Sequence, residues 1–223
     1  HIKPEIVTRN LYKDLNTKES ESLNDRLAEA AVTLLKNDNG FLPLKRTDSL
    51  KIAEVSFGVE EKNTLYTTLK EYGYTEHIGL SHDAKPEALS EAFDKISKAD
   101  VVVLQINKTT LKADNNYGVG IQTLRMADSI AKMKPTVLVL SCNPYLLNSV
   151  SSAANYKSVL LTYEYLPSLL KASANAILGL KSVTGQLPVS TKLFPVQSGI
   201  ELIALQQPKE LFVKENFKKK RFW

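Results

Sequence analysis

The sequence predicts an α/β fold in which an open, mostly parallel β-sheet carries helices on both faces. Strand and helix patterns alternate along residues 51–178, which is the rhythm of consecutive βαβ units. Residues 101–104 are apolar at every position, as expected of a strand that is covered on both faces. Together these observations indicate a three-layer sandwich of the flavodoxin-like type.

Five strands are predicted, and each is a short apolar run between turn residues. The runs at 101–106 and 136–141 are expected at the centre of the sheet because their apolar content is unbroken. The run at 75–80 is the weakest pattern. The predicted strands cover residues 51–57, 75–80, 100–106, 136–141 and 158–163.

The first predicted helix begins near Ser22 and ends at the Asn-Asp-Asn-Gly turn of residues 37–40. Later helices are predicted at residues 61–72, at 86–98, from the end of the 107–118 loop to about Lys132, and at 167–178. The helix at 86–98 has Pro near its first turn, and Gly179 is the expected C-cap of the helix at 167–178. Helical spacing places the following residues on one face of the first helix: Leu23, Leu27, Ala30, Ala31, Leu34 and Leu35.

Three regions are expected along the chain. Residues 1–20 are polar and irregular and predict an interdomain linker, residues 21–195 the α/β domain, and residues 196–223 a C-terminal extension. Residues 185–189 (Gly-Gln-Leu-Pro-Val) indicate a turn into a short edge segment, since Pro is tolerated at a sheet edge. The chain has no initiator Met and no apolar leader, so we interpret it as a piece of a longer protein.

Composition argues against several functions. The net charge is +5, but residues 214–223 contribute +4 of it, so the body is near neutral and nucleic-acid binding is not expected. No apolar run approaches the ~20 residues of a membrane span. The single cysteine, Cys142, excludes an internal disulfide, and His77 and His82 lack clustered ligands. Neither a metal nor a cofactor is therefore predicted.

Candidate functional residues gather at one edge of the predicted sheet, because right-handed crossovers place all strand-to-helix connections there. Their amides, rings and carboxylates suit sugar hydroxyls and a domain interface equally well. Glu164 has a further explanation, since it can cap the helix that begins near Pro167. The candidates are Asp114, Asn116, Tyr117, Asn143, Tyr145 and Glu164.

Residues 30–44, a helix that runs into Lys-Asn-Asp-Asn-Gly and closes with Leu-Pro-Leu, resemble the opening of the C-terminal domain of glycoside hydrolase family 3. The lead-in at residues 10–16 and four later segments resemble its bacterial β-N-acetylhexosaminidase branch in order and spacing. The later segments are 115–118 (Asn-Asn-Tyr-Gly), 143–145 (Asn-Pro-Tyr), 163–164 (Tyr-Glu) and 185–190 (Gly-Gln-Leu-Pro-Val-Ser).

The resemblance implies a partner domain. In this family an N-terminal (β/α) barrel carries the carboxylate nucleophile, and eight βα units need ~200 residues or more, so the barrel is not expected within this chain. The implied partners are a barrel of the same polypeptide and carbohydrate at the domain interface. An extracytoplasmic location, periplasmic or secreted, is implied as well.

The loop of residues 107–117 distinguishes two branches of the family. In the β-glucosidase branch this domain supplies an acid/base Glu from the matching loop, whereas here the loop has no Glu and its carboxylate is Asp114. The departure favours the hexosaminidase branch and predicts no catalytic residue in this chain. The loop is long, and we expect a partner to order it through Leu111 and Tyr117. The alternative is a free-standing flavodoxin-like module that binds a nucleotide or a sugar.

Overall fold

The computed structural model describes residues 9–45, 49–110 and 112–205. Among these residues the strands are β1 (Thr33–Asn37), β2 (Lys51–Phe57), β3 (Tyr74–Leu80), β4 (Val101–Ile106), β5 (Thr136–Leu140) and β6 (Ser158–Leu161). The helices are α1 (Leu11–Leu15), α2 (Lys18–Ala31), α3 (Thr64–Lys70), α4 (Pro86–Ser97), α5 (Ile121–Met133) and α6 (Pro167–Leu178). None of these helices has the length and apolar character to cross a membrane.

The described strands form one six-stranded sheet in the order β1-β6-β5-β4-β2-β3. Strands β2 to β6 are parallel, and β1 pairs antiparallel with β6. The connections change direction between β2 and β4, as in doubly wound sheets. The predicted α/β fold class is confirmed. The five predicted strands and the helices after residue 60 are present with bounds within three residues of the prediction.

Helices cover both faces of the sheet. On one face, Leu104 of β4 packs in a core cluster with Ile96 of α4 and Ile130 of α5. On the other, Val103 packs in a second cluster with Leu170 of α6, and α2 and α3 join the same layer. Burying side chains of this size contributes about 1.5–3 kcal/mol each. Because β4 and β5 are buried along their whole length, their unbroken apolar runs are explained.

The first predicted helix is wrong at its C-terminal end. Helix α2 ends at Ala31, and Leu34 and Leu35 lie in β1. Val32 and Thr33 are β-branched, and such side chains are restricted in a helix but pack well in a strand. Leu34 and Leu35 enter the core clusters on opposite faces of the sheet. Over so few apolar residues, helical spacing does not exclude a short buried strand.

The N-terminal region is helical where it is described, so the expectation of an irregular segment over residues 1–20 is wrong for that part. Helix α1 lies at Leu11–Leu15, and α2 begins at Lys18. Thr17 caps α2, because its side chain accepts a hydrogen bond from the Ser20 N–H at 3.2 Å. Residues 1–8 lie outside the described residues.

Residues 185–189 do not form the expected edge segment. Leu187 is buried, and its N–H donates to the C=O of Ser198 at 2.8 Å. The chain then passes β1, where the N–H of Ile200 donates to the C=O of Leu34 at 2.7 Å. This contact covers part of the free edge of β1, which limits pairing with other chains. The basic residues 214–223 lie outside the described residues.

Candidate functional site

The predicted site residues lie along one edge of the sheet, at the carboxyl ends of three adjacent strands. These ends meet because β4, β5 and β6 are parallel neighbours. Three candidates follow β4, two follow β5 and one follows β6: Asp114, Asn116, Tyr117, Asn143, Tyr145 and Glu164. We call this surface, made of residues 107–110, 112–121, 141–152 and 162–166, the carboxyl rim.

The connection from β4 to α5 folds back on its own domain where it is described. The C=O of Tyr117 accepts a hydrogen bond from the Thr110 N–H at 2.7 Å. Asn116 accepts one from the Ser149 hydroxyl at 2.8 Å, which ties this connection to the one after β5. Asp114, by contrast, is exposed. Asp114 is therefore the carboxylate that this connection presents to the solvent.

The expectation that a partner orders this connection stays a prediction. Leu111, one expected anchor, lies outside the described residues. Tyr117, the other, is half-buried and packs against the core of its own domain.

The connection after β5 is organised by Asn143. Its Oδ1 accepts a hydrogen bond from the Tyr145 N–H at 3.0 Å, so the side chain caps the short 3-10 turn at Pro144–Ser149. The Tyr145 side chain remains 41% exposed. Asn143 thus holds the backbone, while Tyr145 offers an aromatic ring at the rim.

Glu164 is exposed in the connection from β6 to α6. The N-cap residue of α6 is Leu166, and among the described residues no hydrogen bond or ion pair reaches the Glu164 carboxylate, so the capping role is not observed. Its backbone is nevertheless held. The Glu164 N–H donates to the Thr162 C=O at 2.8 Å, and the preceding Tyr163 places its hydroxyl 2.8 Å from Thr33 Oγ1.

Backbone strain concentrates at the carboxyl rim. Four of the six non-glycine residues with positive φ in the described ranges lie there. Each such conformation costs of order 1–3 kcal/mol and is found preferentially at functional sites. The four are Lys108 (φ 54°), Asn116 (52°), Tyr117 (61°) and Tyr163 (67°).

A buried polar network underlies the rim, and sequence reasoning did not find it. Glu54 in β2 and Gln105 in β4 are fully buried. Asn63 joins them, because its Nδ2 lies 3.2 Å from Glu54 Oε1 and 3.0 Å from Gln105 Oε1. Gln105 Nε2 donates to Ser141 Oγ at 2.8 Å, and Thr162 Oγ1 donates to the same oxygen at 2.9 Å. The network therefore runs from β2 to the end of β6.

His77 in the edge strand β3 extends this network. Its Nδ1 lies 2.5 Å from Glu54 Oε2, and its Nε2 lies 2.8 Å from the C=O of Glu60. The hydrogen bond to Glu54 raises the pKa of His77 above its ordinary value of 6.5, and burial acts in the opposite direction. The raised pKa favours the imidazolium form, which compensates the buried carboxylate.

The network positions the connections that form the rim, because its members come from different strands and turns. Glu54 could have been found in the sequence, since a carboxylate inside an otherwise apolar strand must be paired or neutralised. Among the described residues, no group of three or more His, Cys, Asp or Glu side chains is arranged to hold a metal ion.

Asn107 lies where the connections change direction, between β2 and β4. It is fully buried, and its Nδ2 donates to Ser56 Oγ at 3.1 Å, while its Oδ1 has no partner among the described residues. Its C=O lies 2.9 Å from His82 Nε2. Gly58 permits this close packing, because a Cβ there would lie 2.5 Å from the Asn107 C=O. In doubly wound sheets this position is the usual ligand crevice.

The fold and the rim define an α/β sandwich domain whose exposed polar and aromatic groups stand on a buried polar network. The sequence model of the glycosyl hydrolase family 3 C-terminal domain matches residues 32–210. The chain belongs to this family of domains.

Solved structures share the fold. A family 3 β-N-acetylglucosaminidase from Paenibacillus sp. str. FPU-7 is 22% identical with a TM-score of 0.66, covering 81% of this chain and 34% of that one. A β-glucosidase from Listeria innocua in complex with gluconolactone is 17% identical with a TM-score of 0.60, covering 80% and 27%. A fungal multi-domain family 3 β-N-acetylglucosaminidase is 23% identical with a TM-score of 0.64, covering 84% and 21%.

At these identities the likeness shows the fold alone. The chain spans about a third or less of the length of these solved proteins. No curated protein sequence is significantly similar to it.

Proposed function

We propose that this chain is the non-catalytic C-terminal domain of a family 3 β-N-acetylhexosaminidase. It supports the catalytic barrel of the same polypeptide and shapes the rim of the substrate cleft. The connection after β4 carries this proposal: residues 107–117 contain Asp114 but no Glu. The acid/base residue of the β-glucosidase type therefore has no counterpart in this loop.

The positions of the rim carboxylates support a non-catalytic role. Glycoside hydrolysis uses two carboxyl groups that are ~5 Å apart in retaining enzymes and ~6.5–9.5 Å apart in inverting ones. Asp114 follows β4 and Glu164 follows β6, and β5 lies between these strands. Since neighbouring strands are ~4.8 Å apart, the sheet separates the two connections by ~10 Å. No contact joins the two side chains in the described residues.

Exposed apolar groups at the rim support contact with another domain. Ile121 is 52% exposed, Tyr145 41% and Leu166 44%, and all three stand at the same edge as Asp114 and Glu164. A surface that mixes apolar and charged side chains is typical of interfaces between domains of one chain. The rim is accordingly the surface that we assign to the barrel.

The test is to compare the chain with its full-length protein. The reading frame upstream of His1 is sequenced, and both proteins are assayed on an aryl N-acetylglucosaminide and an aryl glucoside. We expect an upstream barrel, hydrolysis of the N-acetylglucosaminide by the full-length protein, and no hydrolysis by residues 1–223 alone. A preference for the glucoside would overturn the assignment to the hexosaminidase branch. Absence of an upstream barrel would overturn the proposed partner domain.

The alternative, a free-standing module that binds a sugar or nucleotide, has one observation in its favour. Asn107 Oδ1, which has no hydrogen-bond partner among the described residues, lies where doubly wound sheets have their ligand crevice. Glu60 and Glu61 follow β2, and their carboxylates would repel a phosphate at that point. A neutral sugar therefore fits better than a nucleotide. Saturable binding of a monosaccharide by residues 1–223, measured by calorimetry without any partner, would favour this alternative.

A further inference from the structure

We propose that the groove between α3 and the edge strand β3 binds a small oxyanion, the phosphoryl or carboxylate group of a soluble ligand. Its volume of about 500 Å³ lies in the range of small-molecule sites. β2 and β4 separate β3 from β5, so the groove is distinct from the rim residues that follow β5 and β6. Its lining includes Lys62, Tyr66, Lys70, Tyr74, Thr75 and His77.

Two ammonium groups approach one aromatic ring in this groove. Lys62 Nζ lies 5.8 Å from the centre of the Tyr66 ring, and Lys70 Nζ lies 5.5 Å from the same centre. Neither forms an ion pair with a carboxylate among the described residues. The ring attracts both cations without neutralising them. An oxyanion in the groove would accept charge-assisted hydrogen bonds from these ammonium groups, and such bonds are the strong class.

Thr75 adds a buried hydroxyl to the groove. The residue is 6% exposed, and its Oγ1 has no hydrogen-bond partner among the described residues. It stands opposite Ile52 in the sheet, on the face that packs against α3. A buried polar group without a partner is rare in native structures and calls for an explanation such as a ligand. The flexible lysine stems can move to admit a ligand oxygen to it.

A carboxylate also belongs to the lining of the groove. Glu76 also lines the groove, but successive strand residues point to opposite faces, and its charge acts on Lys95 of α4. His77 contributes to the floor, where its ring lies 5.3 Å from the Tyr66 ring. Both His77 nitrogens are already engaged by Glu54 and Glu60. The lysines and Thr75 are thus the groups that would hold the anion.

The experiment is an NMR titration of the ¹⁵N-labelled chain of residues 1–223 with sodium phosphate and, separately, with sodium acetate. Sodium chloride at equal ionic strength is the reference. We expect saturable shifts of the amides of residues 62–77. The double variant Lys62→Gln/Lys70→Gln should bind at least fivefold more weakly. Thr75→Val should also bind more weakly while keeping or raising the Tm, because its hydroxyl has no partner to lose in the described part of the chain.

A matched control carries the same loss of charge elsewhere. Lys132→Gln/Lys134→Gln, at the end of α5, should leave binding unchanged. Saturable shifts with phosphate alone would support a phosphoryl ligand, and shifts with both anions would extend the site to carboxylates. The proposal is overturned if neither anion gives saturable shifts in the groove. It is equally overturned if the control variant loses as much affinity as the groove variant.

Discussion

His77 Nδ1 lies 2.5 Å from Glu54 Oε2, and this contact joins the edge strand β3 to the polar network beneath the carboxyl rim. The Glu54 side chain is fully buried and that of His77 is 8% exposed. A carboxylate at this depth is tolerated because both His77 and Asn63 bind its oxygens. The pair therefore links the stability of the domain to the geometry of its rim.

Replacing Glu54 with Ala should strongly destabilise the chain. The substitution removes one hydrogen-bond acceptor from each of His77 and Asn63, and breaking a buried pair in this way costs about 3–5 kcal/mol. Urea unfolding at pH 7 measures the loss. Glu91→Ala is the control, because its pair with Lys95 is exposed and should contribute little. Equal stability of the two variants would contradict a structural role for the network.

Stability should fall as the pH rises above 6.5. The pKa of His77 is raised in the folded state from 6.5, so its contribution is complete below pH 6.5 and is lost as the pH rises through the folded pKa. The unfolding free energies of wild type and His77→Gln should therefore differ most on the acid side and converge in alkali. NMR titration of the His77 ring gives the folded pKa directly. If the difference in unfolding free energy between wild type and His77→Gln grew with rising pH, the predicted direction of the pH dependence would be wrong.

Cys142 should be inert in the native chain. Burial raises its pKa to about 12, and the thiolate rather than the thiol is the reactive form. We expect no reaction with a chromogenic disulfide reagent at pH 7 until the chain is unfolded in guanidinium, when its single thiol reacts. Rapid reaction of the folded chain would place Cys142 at an accessible surface.

Residues 1–223 should not hydrolyse aryl N-acetylglucosaminides or aryl glucosides above background. Asp114 is the carboxylate that the connection after β4 presents, and hydrolysis needs a pair, whose nucleophile we assign to the proposed barrel. The assay is release of the aryl group from chain that has been purified free of contaminating glycosidase. If turnover occurs and Asp114→Asn abolishes it, the connection after β4 is catalytic after all.

Leu166→Ser should weaken association with the proposed barrel without unfolding this domain. Its side chain is 44% exposed, so the chain alone should change by no more than about 0.5 kcal/mol. Loss of its apolar surface should nevertheless lower the affinity of a separately expressed barrel, measured by calorimetry. Met133→Ser, 49% exposed at the far end of α5, is the control. Equal effects of both substitutions on the affinity would show that the rim is not part of the interface.

Local chemistry determined most of the secondary structure. Helix α6 runs over Pro167–Leu178 as predicted, because Pro in its first turn suits a helix start and Gly179, with φ 71°, ends it. Strands β4 and β5 were evident from their unbroken apolar runs. The shared edge of the candidate residues follows from the succession of parallel strands, which the alternating pattern also indicated.

The tertiary structure decided which side chains meet. Leu34 and Leu35 have helical spacing with Ala30 and Ala31, yet pairing with β6 makes them a strand. The network depends on strand order in the same way, because β2 lies between β3 and β4 and so brings Glu54 to His77. Local propensity favours one type of element, but contacts between side chains of different elements form only when the elements pack together to bury their apolar faces. A single sequence shows that Glu54 needs a partner, and only the fold selects His77.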